Sequence, residues 1–134
     1  MSKSHVTAKP TPAELDLLRL LWRLGPSTVK QVHEARVQER PEMAYATVLR
    51  LLQIMHSKGL LIRDESQRSH VYAAAALQDS LQTNLLRDLI HKAFSGSGKA
   101  LVMTALRGHV TDEERAEIQR FLQDASQEGS GDDR

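Results

Sequence analysis

Two short apolar runs, Leu60-Leu61-Ile62-Arg63 and His70-Val71-Tyr72-Ala73, flank a polar stretch from Asp64 to Ser69. That pattern predicts two strands joined by a polar tip. A two-stranded hairpin is marginal in water, so this one must pack on something else. Before it the chain reads as a loose leader and then helices, with Ser27-Thr28-Val29 a short extended piece at most, which narrows the fold to helices carrying a small β wing.

Three helices are legible ahead of the hairpin. Thr11-Pro12-Ala13-Glu14 opens the first: Thr11 caps, Pro12 suits the first helical position, and Glu14 closes a capping box. Leu15, Leu18 and Trp22 recur at helical spacing, Leu17, Leu21 and Leu24 widen the stripe, and Gly25-Pro26 stops it. Thr28 and Gln31 form a second box, with Val29, Val32 and Ala35 facing inward until Arg40-Pro41-Glu42. The third helix runs from about Ala44 to Lys58, with no side-chain oxygen at its start and Gly59 as its left-handed stop. Helices followed by a hairpin form the plan of a winged helix-turn-helix, mainly α with a two- or three-stranded β wing.

After Ala76 only helix remains. Leu81, Leu85, Leu86, Leu89, Ile90, Ala93 and Phe94 mark one rod, and Ser95-Gly96-Ser97-Gly98 interrupts it. Leu101, Val102, Ala105 and Leu106 mark a second, and Thr111-Asp112-Glu113-Glu114 caps a third bearing Ile118, Phe121 and Leu122. The domain reading is a flexible leader over 1–10, a winged helix over 11–76, a three-helix dimerisation segment over 77–125 and a disordered tail over 126–134. Three short amphipathic rods show more apolar surface than they can hide among themselves, and a second copy is the simplest cover. Leu81, Leu85, Leu89, Phe94, Leu101, Leu106, Ile118, Phe121 and Leu122 are the expected interface.

The chain has no cysteine, which excludes disulfide frameworks and thiol chemistry and fits a reducing compartment. Nothing approaches the about 20 apolar residues of a membrane span, so a cytoplasmic protein without membrane insertion is expected. Six histidines are scattered without an i, i+4 pair and carboxylate partner, and no phosphate loop or nucleophile elbow is present. No enzyme, metal or cofactor is expected. Net charge is +1, but residues 1–70 carry 11 Lys and Arg against 7 Asp and Glu, and the remainder is acidic. A basic first half suits an anionic partner.

The third helix supplies the reader such a partner needs. Val48, Leu52 and Met55 form its packing face; Thr47, Arg50, Leu51 and Ile54 form a neighbouring one, with Tyr45 and Ala46 at the tip. Helix N-termini favour phosphate, and the fork of Arg50 suits a guanine edge. Leu51 reads as packing on neighbouring elements, and Ile54 is left open. Arg68, beside Gln67, Ser69 and His70 at the wing tip, suits a phosphate or narrow groove. Lys30, Lys58 and Arg63 are further phosphate candidates. Two other classes fit this plan: a winged-helix module that contacts protein, and a metal-responsive sensor of the same shape.

Several stretches together resemble the penicillinase-repressor family (BlaI/MecI/CopY), winged-helix transcriptional regulators that include the methicillin-resistance repressors. They are Glu14 with Leu21-Trp22, Thr28 through Glu34, Ala44 through Val48, Lys58-Gly59-Leu60-Leu61, Arg68 through Tyr72, Phe94 through Ser97 and Asp112-Glu113-Glu114. The resemblance spans about residues 11–124. It implies a homodimeric repressor on a palindromic double-stranded operator that controls resistance or stress genes, with DNA contacts at Tyr45, Ala46, Thr47, Arg50 and the wing. It also implies release by a membrane-bound sensor metalloprotease, the matching bond lying near Thr104-Ala105. The chain departs from the family with Arg50 where Thr is common, Ile54 where Arg is common, and a cleavage pair unlike the best known. It lacks the cysteine cluster of the copper-responsive branch.

Overall fold

The structure, a computed structural model, describes residues 9–132, and the side chains through 128. Most of the expected leader, residues 1–8, and the last two residues of the expected tail lie outside the described residues. The described chain divides into two compact units, the first through Leu85 and the second from Leu86.

In the first unit, α1 (Pro12–Leu24), α2 (Val29–Glu39) and α3 (Tyr45–Ser57) precede the hairpin strands β2 (Leu61–Asp64) and β3 (Val71–Ala74). A two-residue strand β1 (Ser27–Thr28) lies between α1 and α2. The sheet is antiparallel in the order β1-β3-β2, with Ser27 opposite Tyr72 and Arg63 also opposite Tyr72 from the other side. The wing is therefore three-stranded. Both hairpin strands sit one residue later than their sequence pattern suggests.

Local chemistry sets the ends of these elements. Thr11 and Glu14 exchange backbone–side-chain hydrogen bonds of 2.9 and 3.2 Å, and Thr28 and Gln31 do the same at 2.9 and 3.2 Å. Each pair satisfies two of the donors that a helix start leaves open. The start of α3 at Ala44 has no side-chain cap. Its end turns at Gly59, whose φ of +84° only glycine adopts without strain.

One core binds the unit together. Leu17, Leu18, Leu20 and Leu21 of α1 meet Val29 and Val32 of α2, Val48, Leu52 and Met55 of α3, and Leu60, Leu61 and Tyr72 of the wing. The expected inward residues of α2 are joined by Arg36, which is only 5% exposed. It lies one turn beyond Val32 and so shares that face. Its guanidinium donates to Asp16 Oδ2 and Glu39 Oε1, both at 2.9 Å, while its Nε is buried with no partner among the described residues.

Leu81 also packs against this core. That contact explains why the division falls inside α4 (Gln78–Ala93) and not after Ala76. Leu81, expected at a dimer interface, is at least partly used within its own unit.

The second unit holds the rest of α4, α5 (Gly98–Gly108) and α6 (Asp112–Asp132). Ser95 at φ +51° and Gly96 at φ +84° turn the chain out of α4, and the Gly96 N–H closes on Ile90 O at 2.9 Å. Ser97 caps α5 through Ala100 N at 3.0 Å, and Thr111 and Glu114 form the third capping box. Helix α6 continues through Asp132, so residues 126–132 are helical where a disordered tail is expected from composition. Elongation adds one hydrogen bond per residue once a helix is nucleated, which lets the backbone continue past the last apolar position.

Candidate nucleic-acid interface

Burial fixes which side of α3 is available. Val48, Leu52 and Met55 are fully enclosed, so the opposite side of the helix is set by its 3.6-residue period. That side carries Ala46, Arg50, Gln53 and Ser57, all exposed. Thr47 and Ile54, also exposed, flank it on one edge, and Tyr45 and half-buried Leu49 flank it on the other. Leu51 is half-buried and packs on the core, as its apolar character predicts. Sequence reasoning anchored the exposed face on Thr47 and so missed Gln53 and Ser57. The signal was present in the sequence, because the Val48–Leu52–Met55 stripe defines its own opposite face.

The Tyr45 edge of α3 looks onto the wing. Between them lies a concavity of about 310 Å³ lined by Lys30, Tyr45, Gln53, Arg68, Ser69 and His70, with Thr28, Val29, Leu49, Arg63 and Tyr72 beneath. Among the described residues no carboxylate lines it, and α3 contains no Asp or Glu. Lys30, Arg50, Gln53 and Arg68 make no side-chain hydrogen bond or ion pair among the described residues. The approach to α3 is fixed by His33, whose Nε2 lies 3.1 Å from Met43 O and whose ring meets Tyr45 edge-on at 5.6 Å.

Two of the expected cationic contacts are committed within the chain. Lys58 turns to Glu14, with Nζ 2.6 Å from Oε1, joining the end of α3 to the start of α1. Glu14 is 3% exposed. Burial alone would raise its pKa, but hydrogen bonds from Lys58 and the Thr11 N–H, with the Lys58 charge, hold it below its ordinary value. Arg63 pairs with Glu65 at 2.6 Å and reaches the Tyr72 hydroxyl at 3.5 Å. Those bonds, to Tyr72 and then Glu65, keep the guanidinium protonated more firmly still. In return the Glu65 carboxyl is held low by Arg63, and that of Asp64 by the Ser66 N–H.

The second unit has the apolar surface expected of it. Neither α4 nor α5 has a fully buried residue. Leu89 is 48% exposed, Phe121 68% and Leu122 58%, while Leu85, Phe94, Leu101, Leu106 and Ile118 are half-buried. Thr104 and Ala105 lie within α5, the first exposed and the second half-buried. Among the described residues no cluster of three or more His, Cys, Asp or Glu side chains could hold a metal ion. No described helix is long and apolar enough to cross a membrane.

Three helices on a short antiparallel wing form a winged helix-turn-helix, and its third helix contains no Asp or Glu. Residues 10–124 match the family described as penicillinase repressor, and the chain belongs to that family. The transcriptional regulator BlaI of Mycobacterium tuberculosis, found in two strains, is 32% identical over 103 residues, covering 76% of this chain and 74% of the relative. A mutant of Lactococcus lactis ZitR superposes with a TM-score of 0.41 at 18% identity, over 90% of this chain and 76% of that one. The chain is a regulator of transcription, not an enzyme.

Proposed function

We propose that the protein is a sequence-specific, operator-binding repressor that acts as a homodimer in the cytoplasm on a palindromic site. Helix α3 enters the major groove, and the wing holds the adjoining backbone. The observation that carries this reading is the exposed Ala46–Arg50–Gln53 face beside the cationic notch, with uncommitted Lys30 and Arg68 and no carboxylate. Tyr45, Ala46 and Thr47 touch phosphate at the uncapped start of α3, Arg50 takes a guanine edge, and Arg68 grips the flanking backbone. Ile54 lies at the rim of this face, where it suits a thymine methyl.

The exposed Leu89, Phe121 and Leu122 support a two-fold partner, which places two α3 helices on half-sites about one helical turn apart or a multiple of it. Membership of the family supports control of resistance or stress genes and release by a membrane-bound metalloprotease at Thr104-Ala105. That bond sits inside α5, so cleavage requires the helix to open first.

Selection of bound duplexes from a random pool, followed by affinity measured against salt, tests the reading. Enriched sites should contain paired inverted half-sites, and affinity should fall steeply with salt. Failure to enrich any duplex, or an affinity indifferent to salt, overturns it.

A further inference from the structure

We infer that Arg50 and Gln53 act as one base-reading pair, Arg50 taking a guanine and Gln53 an adenine on a neighbouring base pair of each half-site. The inference rests on the proposed operator binding and names the part of the operator that this chain's own side chains select.

Three observations converge on Gln53. It lies three residues from Arg50 on the side of α3 opposite Val48, Leu52 and Met55, so both side chains project from the same face. It also lines the notch with Lys30 and Arg68, so its end of the face adjoins the cations that hold the backbone. Finally, its amide and the Arg50 guanidinium have no partner among the described residues, and neither must break a bond to them to meet a base.

The chemistry separates their targets. A guanidinium offers donors only, matching the two acceptors O6 and N7 of guanine. A carboxamide offers a donor and an acceptor together, matching N7 and the N6 amino group of adenine. Three residues of helix rise about 4.5 Å, close to the roughly 3.4 Å step between base pairs. The two side chains therefore fall over adjacent pairs. Of the other residues on the face, Ala46 has no polar side-chain group and Ser57 lies a turn beyond Gln53 at the end of α3, while Ile54 and Thr47 lie at its edge.

The test uses the full chain and the duplex it selects from the random pool, with every single-base variant of one half-site measured by fluorescence anisotropy. Wild type should prefer a G·C pair next to an A·T pair. Gln53→Ala should lose the adenine preference, a change of about 5- to 150-fold at that position alone. Gln53→Glu should move the preference there toward cytosine, because a carboxylate accepts from the cytosine amino group. Gln53 is exposed, and an unchanged melting temperature confirms that each variant is folded. If Gln53→Ala keeps every wild-type base preference, or weakens all sequences equally, the pairing is overturned while operator binding stands. If wild type selects no duplex at all, operator binding itself is overturned and the pairing with it.

Discussion

Lys58 Nζ sits 2.6 Å from Glu14 Oε1, tying the last turn of the exposed helix to the first turn of α1. The same carboxylate oxygen accepts from the Thr11 N–H at 2.9 Å. One side chain thus closes a helix cap and anchors another helix 44 positions away. Lys58→Met removes the cation and leaves Glu14 almost wholly buried. Orphaning a buried charge should cost about 3 kcal/mol of stability. Glu14→Gln should cost less, about 1–3 kcal/mol, because the amide still accepts from Thr11. Urea unfolding followed by far-ultraviolet circular dichroism measures both.

The pH dependence of stability follows from the same pair. Glu14 titrates below its ordinary value of 4.5 in the folded chain, so the unfolded chain binds more protons in acid. The stabilisation is complete above 4.5 and is lost as pH falls from there through the lowered value. Wild type should therefore lose its advantage over Glu14→Gln across that window. A gap between the two that stays constant on acidification argues against the ion pair as its source.

Adjacent turns of α3 should separate folding from recognition. Leu52→Ala opens a cavity in the sealed core and should cost about 2–5 kcal/mol. Arg50→Ala touches no core residue and should leave the melting temperature nearly unchanged. It should cost about 1–3 kcal/mol of binding at one base position and relax the preference there. Equal loss on every sequence would reassign Arg50 to the phosphate backbone.

The two arginines of the wing should behave differently in salt. Arg68 is exposed and uncommitted, so Arg68→Ala should lower the slope of log affinity against log salt by about 1. Arg63 is paired with Glu65, and Arg63→Ala should leave that slope almost unaltered. Equal effects of the two would mean that the Glu65 pair opens on DNA.

Leu89 is nearly half exposed on α4, and a charge there should be tolerated by a single chain but not by a packed pair. Leu89→Asp should sediment as a monomer, bind its operator weakly, and keep the helical content of the parent. In wild type, the melting temperature should rise with protein concentration, as it does wherever association stabilises a fold. A variant that remains dimeric would move the interface away from Leu89.

Features governed by neighbouring residues were the most legible in the sequence. All three capping boxes, the Gly59 stop and the missing cap at Ala44 obey rules spanning a few positions. The three-stranded wing was only half visible, because Ser27–Thr28 is too short to show an alternating pattern and gains its identity by pairing with β3. Arg36 and Lys58 were illegible for a different reason. Composition sends both outward, and only the carboxylates of Asp16 and Glu14, far off in sequence, make their inward positions tolerable. On α3, a template anchored at Thr47 rotated the expected face away from the centre of the exposed side and hid Gln53.

The indole of Trp22 donates to Ala76 O at 3.0 Å, a bond that falls wholly within the first unit. Since the chain has a single tryptophan, its native fluorescence reports the unfolding of that unit, to be set against the far-ultraviolet circular dichroism of both. The protein thus carries its own gauge for whether its two parts come undone in one step or in succession.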